Sequence, residues 1–167
     1  SEMCIRDRNT MEFKEKTLDS QMMYDGRIIK VYKDNVELAD GKKSFREVVR
    51  HSGGVVILAF KDEDTILLVK QYRYPIGEIV LELPAGKLEK GEDPFEAAKR
   101  ELEEETGYCA NKWTDLGYIN TSPGFSDEKL YLYLAQDLEY TYCHPDEGEI
   151  IQAFEYKYDC LLYTSPS

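Results

Sequence analysis

The sequence predicts an α/β protein: an α/β/α sandwich on a mixed sheet, preceded by a small antiparallel β-hairpin subdomain. Three observations predict it. Two nearly all-apolar runs, 54–60 and 65–72, have the make-up of strands buried on both faces. One capped helix follows, between Asp93 and Gly107. Beyond it Leu130, Leu132 and Leu134 alternate with Tyr131 and Tyr133, a strand with two distinct faces. Strands surrounding one or more helices give that layered arrangement.

The totals set the frame. A chain of 167 residues, 42% hydrophobic and with 13 Tyr, is long enough for one domain with a real core. Its net charge of −12 repels nucleic acid and acidic membranes, so neither is expected as a partner. No apolar run approaches transmembrane length. Cys4, Cys109, Cys143 and Cys160 form no CxxC pair and no metal-ligand spacing, so a reduced, cytoplasmic setting is the simplest account. His51 and His144 share no ligand pattern and read as structural or exposed.

In chain order, residues 1–10 show no periodicity and are expected to be a non-native tail, as is 159–167, with a disordered natural terminus as the competing reading. Both ends resemble translated sequencing-adapter sequence. Residues 11–50 are expected to be an N-terminal β subdomain, with strands over 27–38 and 44–50 joined through Asp40-Gly41, a hairpin turn signal. A hairpin so small and polar is not expected to bury a core by itself. Residues 51–158 form the main domain. Its strands are expected at 54–60, 65–72, 78–83, 113–122, 129–138 and 149–158.

The chemistry concentrates in 86–108, GKLEKGEDPFEAAKRELEEETGY. Asp93 is a fair N-cap, Pro94 suits the first helical position, and Gly107 supplies the stop. Phe95, Ala98 and Leu102 form the stripe turned to the core, whereas Glu96 and Glu103 point to water. Glu101, Glu104 and Glu105 stand at i, i+3 and i+4 and leave one face together. Like charges so placed repel unless something positive sits among them, and a hard divalent cation such as Mg²⁺ is the natural candidate. On spacing alone, a solvated acidic helix fits as well.

The longer spacing separates the two readings. Gly86, five residues, Glu92, seven residues and then Arg100-Glu101-Leu102-Glu103-Glu104-Glu105-Thr106-Gly107-Tyr108 resemble the Nudix box at every fixed position. The chain, over about 15–158, is similar to the Nudix hydrolases and within them to the ADP-ribose pyrophosphatase branch. The resemblance implies Mg²⁺-dependent (or Mn²⁺-dependent) hydrolysis of a nucleoside diphosphate sugar, ADP-ribose favoured, to AMP and ribose 5-phosphate. Alternatives are another nucleoside diphosphate sugar, a dinucleotide, or a non-catalytic ADP-ribose sensor, although a sensor would be expected to lose box carboxylates that this chain keeps.

The same resemblance assigns roles. Glu101 and Glu105 are the expected direct metal ligands, Glu104 shares a second ion, and the backbone carbonyl of Ala85 adds a further ligand. As residues, Glu92 and Arg100 allow a catalytic role but read more readily as a structural pair holding the loop against the helix, and Glu89 reads as solvated. Glu147 of Glu147-Gly148-Glu149 is the candidate proton acceptor and Glu149 a metal-side or orienting carboxylate, so Glu147, Glu104 and Glu149 make up the catalytic set. An acidic surface loop is the competing reading of that Glu-x-Glu. Pro123, fifteen residues past the box within TSPGFSDE, resembles the marker of the ADP-ribose branch, and Glu128 is a candidate for a ribose hydroxyl. Arg73 and Arg46 match arginines that touch the diphosphate, the latter across a homodimer that the resemblance also implies; as residues alone they read equally well as surface arginines. Gln152 stands where an acidic residue is common, and CLLYTSPS where relatives continue into a helix.

Overall fold

The computed structural model describes residues 13–141 and 151–163. Their contacts divide into two compact units. The first runs to His51 and takes in Ser122–Asp127; the second comprises Ser52–Thr121 and the chain from Glu128 onward.

The first unit is a three-stranded antiparallel sheet, β1 (Lys16–Asp25), β2 (Ile29–Glu37) and β3 (Lys43–His51), in that spatial order. The β2–β3 hairpin turns at Asp40-Gly41, where the Leu38 N–H donates to Lys42 O at 2.8 Å and the Asp40 carboxylate accepts from the Lys42 N–H. Strand β1 was not foreseen. Its pairing with β2 shifts register twice, between Thr17 and Asp19 and between Met22 and Tyr24, and these bulges erase the period of two by which a strand is read. Few side chains in this unit are buried; Val36 and Asp34 are the main ones.

The second unit carries the core. A mixed sheet has the order β7 (Ala85–Lys87), β4 (Gly54–Ala59), β9 (Lys129–Tyr140), β8 (Tyr108–Asn120), with β4 and β9 parallel. An antiparallel sheet holds β10 (Gln152–Lys157), β5 (Thr65–Arg73) and β6 (Glu78–Glu82). Helix α1 (Pro94–Thr106) touches strands of both sheets, and a short α2 (Tyr158–Tyr163) follows β10. Strand β4 is buried nearly throughout, as expected, but β5 is buried only from Thr65 to Val69 and alternates afterwards. Strand β8 starts five residues before the expected 113, directly after the helix stop, because its polar opening YCANK pairs with the far end of β9. The three-residue β7, expected as loop, is a strand because it pairs with Gly54–Val56 of β4.

Helix α1 begins as its sequence dictates. The Asp93 carboxylate accepts from the Phe95 and Glu96 N–H groups at 2.9 and 3.2 Å, a cap worth about 1 kcal/mol. It ends at Gly107, whose φ of 75° suits glycine and whose N–H donates to Glu103 O. Ala97, Ala98 and Leu102 are completely buried against Val55, Ile57 and Leu67. Burial of Leu102 alone is worth about 1.5–3 kcal/mol. Phe95 lies partly buried beside them, edge-on to Trp113 at 5.5 Å. With one side of α1 fixed in this way, its glutamates have a defined direction. No helix among the described residues is long and apolar enough to cross a membrane.

Candidate active site

The box residues come together at the start of β7 and on the outer face of α1. Glu105 is the most deeply placed, only 4% exposed, and its carboxylate accepts the Ala85 N–H at 3.0 Å. A buried carboxylate needs such a donor, and this bond ties the last turn of the helix to the residue preceding Gly86. Glu101 lies one turn earlier, against Gly86. A Cβ built on Gly86 would fall 1.8 Å from the Glu101 carboxyl carbon, so the absent side chain of Gly86 is the space that the Glu101 carboxylate fills. The atoms for which Gly86 makes room in this structure belong to the protein itself.

Arg100 organises the remaining carboxylates. Its Nε and Nη2 donate to Glu92 at 3.0 and 3.1 Å, and its Nη1 donates to Glu101 at 2.9 Å and to Glu104 at 2.8 Å. The Glu92 bond matches the structural pairing read from the sequence. Its contacts with Glu101 and Glu104 were missed, although Arg100 and Glu104 are an i, i+4 pair and that spacing could have shown one of them. Glu89 is exposed, and its N–H donates to Glu92. Of the two glutamates expected in water, Glu96 is exposed and pairs with Lys99, while Glu103 accepts from the Thr141 hydroxyl.

Arg100 holds the Glu92 carboxyl below the usual carboxylate range; burial opposes the shift and the Glu89 N–H assists it. A depressed folded-state pKa contributes stability above the unfolded value and loses it as pH falls through the folded one. The stability difference between wild type and Glu92→Gln is therefore expected to be constant above about pH 5 and to shrink below about pH 4, as read by denaturant unfolding. Arg100 itself is shifted upward by Glu92, against burial, and stays protonated throughout this range. The Cys109 thiol is pushed up, first by burial and then by Glu103, which makes it a poor nucleophile.

Whether these side chains fit a divalent cation can be judged from the donors. As they stand, no three His, Cys, Asp or Glu side chains among the described residues are gathered closely enough to hold one. The oxygen donors are nevertheless of the hard type that Mg²⁺ takes. One guanidinium set against Glu92, Glu101, Glu104 and the neighbouring Glu105 also leaves a surplus of negative charge. Glu105 is further anchored at β7 by the Ala85 N–H, and Glu101 packs against Gly86. In donor chemistry and in surplus charge the set suits the ion, and its carboxylates would have to draw closer together to hold it.

The other expected site residues are spread more widely. Arg73 pairs with Glu82 through Nε at 2.9 Å and Nη2 at 2.8 Å, a partner the sequence did not suggest. In the first unit Arg46 pairs with Glu15 and donates to Phe45 O. Pro123 is exposed, and Glu128 accepts from the Thr121 hydroxyl at 2.6 Å. Glu147 and Glu149, with His144, lie outside the described residues.

Residues 50–163 match the family model described as the NUDIX domain. The chain belongs to the Nudix hydrolase family. In this Nudix protein residues 15–49 match a second model, the nucleoside diphosphate sugar hydrolase N-terminal domain. The chain is 46% identical over 144 residues to an ADP-ribose pyrophosphatase of Bacillus subtilis, covering 85% of this chain and 78% of the relative. It is 45% identical over 152 residues to a methanol dehydrogenase activator of Bacillus methanolicus, covering 90% and 82%. A crystal structure of an ADP compounds hydrolase superposes with a TM-score of 0.79 at 25% identity, covering 92% of this chain and 84% of that one.

Proposed function

We propose that this Nudix protein hydrolyses the pyrophosphate bond of ADP-ribose, giving AMP and ribose 5-phosphate, with Mg²⁺ or Mn²⁺ as its cation. The observation that carries the reading is the anchored carboxylate face of α1, with Glu105 tied to Ala85 and Glu101 seated in the space left by Gly86. The likeness to the B. subtilis ADP-ribose pyrophosphatase supports the choice of substrate.

Glu101, Glu104, Glu105 and the Ala85 carbonyl would hold the cation. When bound, it supplies positive charge to the diphosphate oxygens and acidifies a water. The protein's own side chains do the rest. Glu147 takes the proton of the attacking water and Glu149 orients it. Arg73 and Arg46 offer guanidinium forks to the diphosphate, exchanging Glu82 and Glu15 for phosphate oxygens. Glu128 turns from Thr121 toward a ribose hydroxyl, and Pro123 shapes the loop that meets the sugar.

The protein acts in the cytoplasm as a homodimer, with 11–50 as its pairing subdomain and 51–158 as its catalytic domain. Support for the dimer comes from the first unit, which exposes Leu18, Met22, Met23, Tyr24 and Phe45, more apolar surface than a small solvated sheet has use for. The structural likeness to an ADP compounds hydrolase favours one second reading, a broader taste for ADP-containing dinucleotides.

AMP release from ADP-ribose, compared with hydrolysis of GDP-mannose under one Mg²⁺ condition, tests the assignment. ADP-ribose is expected to lead by at least about tenfold in kcat/KM. A lead of that size for GDP-mannose would overturn the substrate and the use made of Pro123.

A further inference from the structure

The segment Ser122–Asp127 joins two strands of the second unit, yet its contacts place it in the first. Backbone hydrogen bonds explain this. The Val49 N–H donates to Phe125 O at 2.7 Å and the Asp127 N–H donates to Val49 O at 3.2 Å, so Ser126 lies beside Val49 as a short parallel extension. Because β3 is an edge of the β1-β2-β3 sheet, the segment covers an open row of donors and acceptors. Its own turn is closed by the Phe125 and Ser126 N–H groups, both donating to Ser122 O.

Side chains fasten this attachment. Arg50 Nη1 donates to Asp127 at 3.0 Å, and the other Asp127 oxygen accepts the His51 N–H at 3.0 Å. Arg50 Nη2 lies 3.9 Å from Asp34, which is only 7% exposed and accepts from the Ser20 hydroxyl at 2.5 Å. A line of polar contacts thus runs from β1 through β2 and β3 to the loop, with Arg50 as the one cation in it. The attachment also fixes where the loop that carries Pro123 stands relative to β3. Its tip leaves Pro123 and Phe125 exposed, while its base is held on both sides of Ser126.

We propose that Arg50 is a positioning residue for substrate recognition: by holding Asp127 against Asp34 it fixes the loop that carries Pro123, and so sets the affinity for a nucleoside diphosphate sugar. This rests on the function proposed above. Arg50 lies outside the Nudix box, and the match to Asp127, 77 positions further along the chain, is one that spacing could not suggest.

Steady-state kinetics with ADP-ribose, combined with amide hydrogen exchange, test it. In Arg50→Met, KM is expected to rise about tenfold or more with kcat within about twofold, because the loop acts on binding and not on the reacting atoms. Exchange at the Val49 and Asp127 amides should quicken. Arg50→Lys, which keeps a cation for one carboxylate, should return KM to within about threefold of wild type. Asp127→Asn keeps an acceptor for the His51 N–H but loses the charge, and should raise KM in the same direction; it decides the matter if Arg50→Met does not fold. Faster exchange with unchanged KM, or a fall in kcat at constant KM, would overturn the proposal. Absence of turnover in the wild type would instead remove the function on which it rests, and the two failures are told apart by that control.

Discussion

Glu105→Gln is expected to lower ADP-ribose turnover at least about a hundredfold while the chain stays folded. The reason lies in what the substitution keeps and what it removes. A glutamine carbonyl can still accept the Ala85 N–H, so the link between the end of α1 and β7 survives. The lost charge is the most buried of the box carboxylates, where the low dielectric makes each charge count most. Steady-state AMP release, with far-ultraviolet circular dichroism to confirm folding, measures both sides. Turnover within a few fold of wild type would mean that the chemistry lies elsewhere.

Gly86→Ala should have an effect of similar size for a steric reason. The new methyl would sit 1.8 Å from the Glu101 carboxyl carbon and 2.0 and 2.2 Å from its oxygens, so that carboxylate must leave. It is the end of a flexible side chain, so the cost in stability stays at about 1–3 kcal/mol. Displacing a carboxylate proposed to hold the cation is expected to be far more damaging to rate, by about a hundredfold. The two effects separate in a Glu101→Ala background. There the added methyl meets no carboxylate, and Gly86→Ala should cost little further stability, a non-additivity expected of groups in contact. Equal destabilisation in both backgrounds would show that the conflict is with the β7 backbone rather than with Glu101.

Much of this could be read from the residues because it is local. Helix α1 begins at Pro94 and ends before Gly107 as written, since cap, first-turn proline and αL stop all act within a few residues. Its buried stripe and its acidic face follow from the same 3.6-residue period. What escaped notice depends on partners distant in sequence. Strand β1 has an irregular register, and β7 is a strand only because β4 lies beside it. Arg73 reaches Glu82 through the fold of a hairpin, and Arg50 reaches Asp127 through a strand edge. One partner of the acidic face was not fully read from the residues: Arg100, inside the same motif, pairs with Glu101 and Glu104 as well as with Glu92.

Glu101, Glu104 and Glu105 together form the face proposed to hold a divalent cation in pyrophosphate hydrolysis. The most direct test is AMP formation from ADP-ribose by chelator-treated wild-type protein into which Mg²⁺ is titrated. No AMP is expected with chelator present, and activity should return and saturate as Mg²⁺ is added. AMP formation at an undiminished rate in the presence of chelator would contradict that proposal.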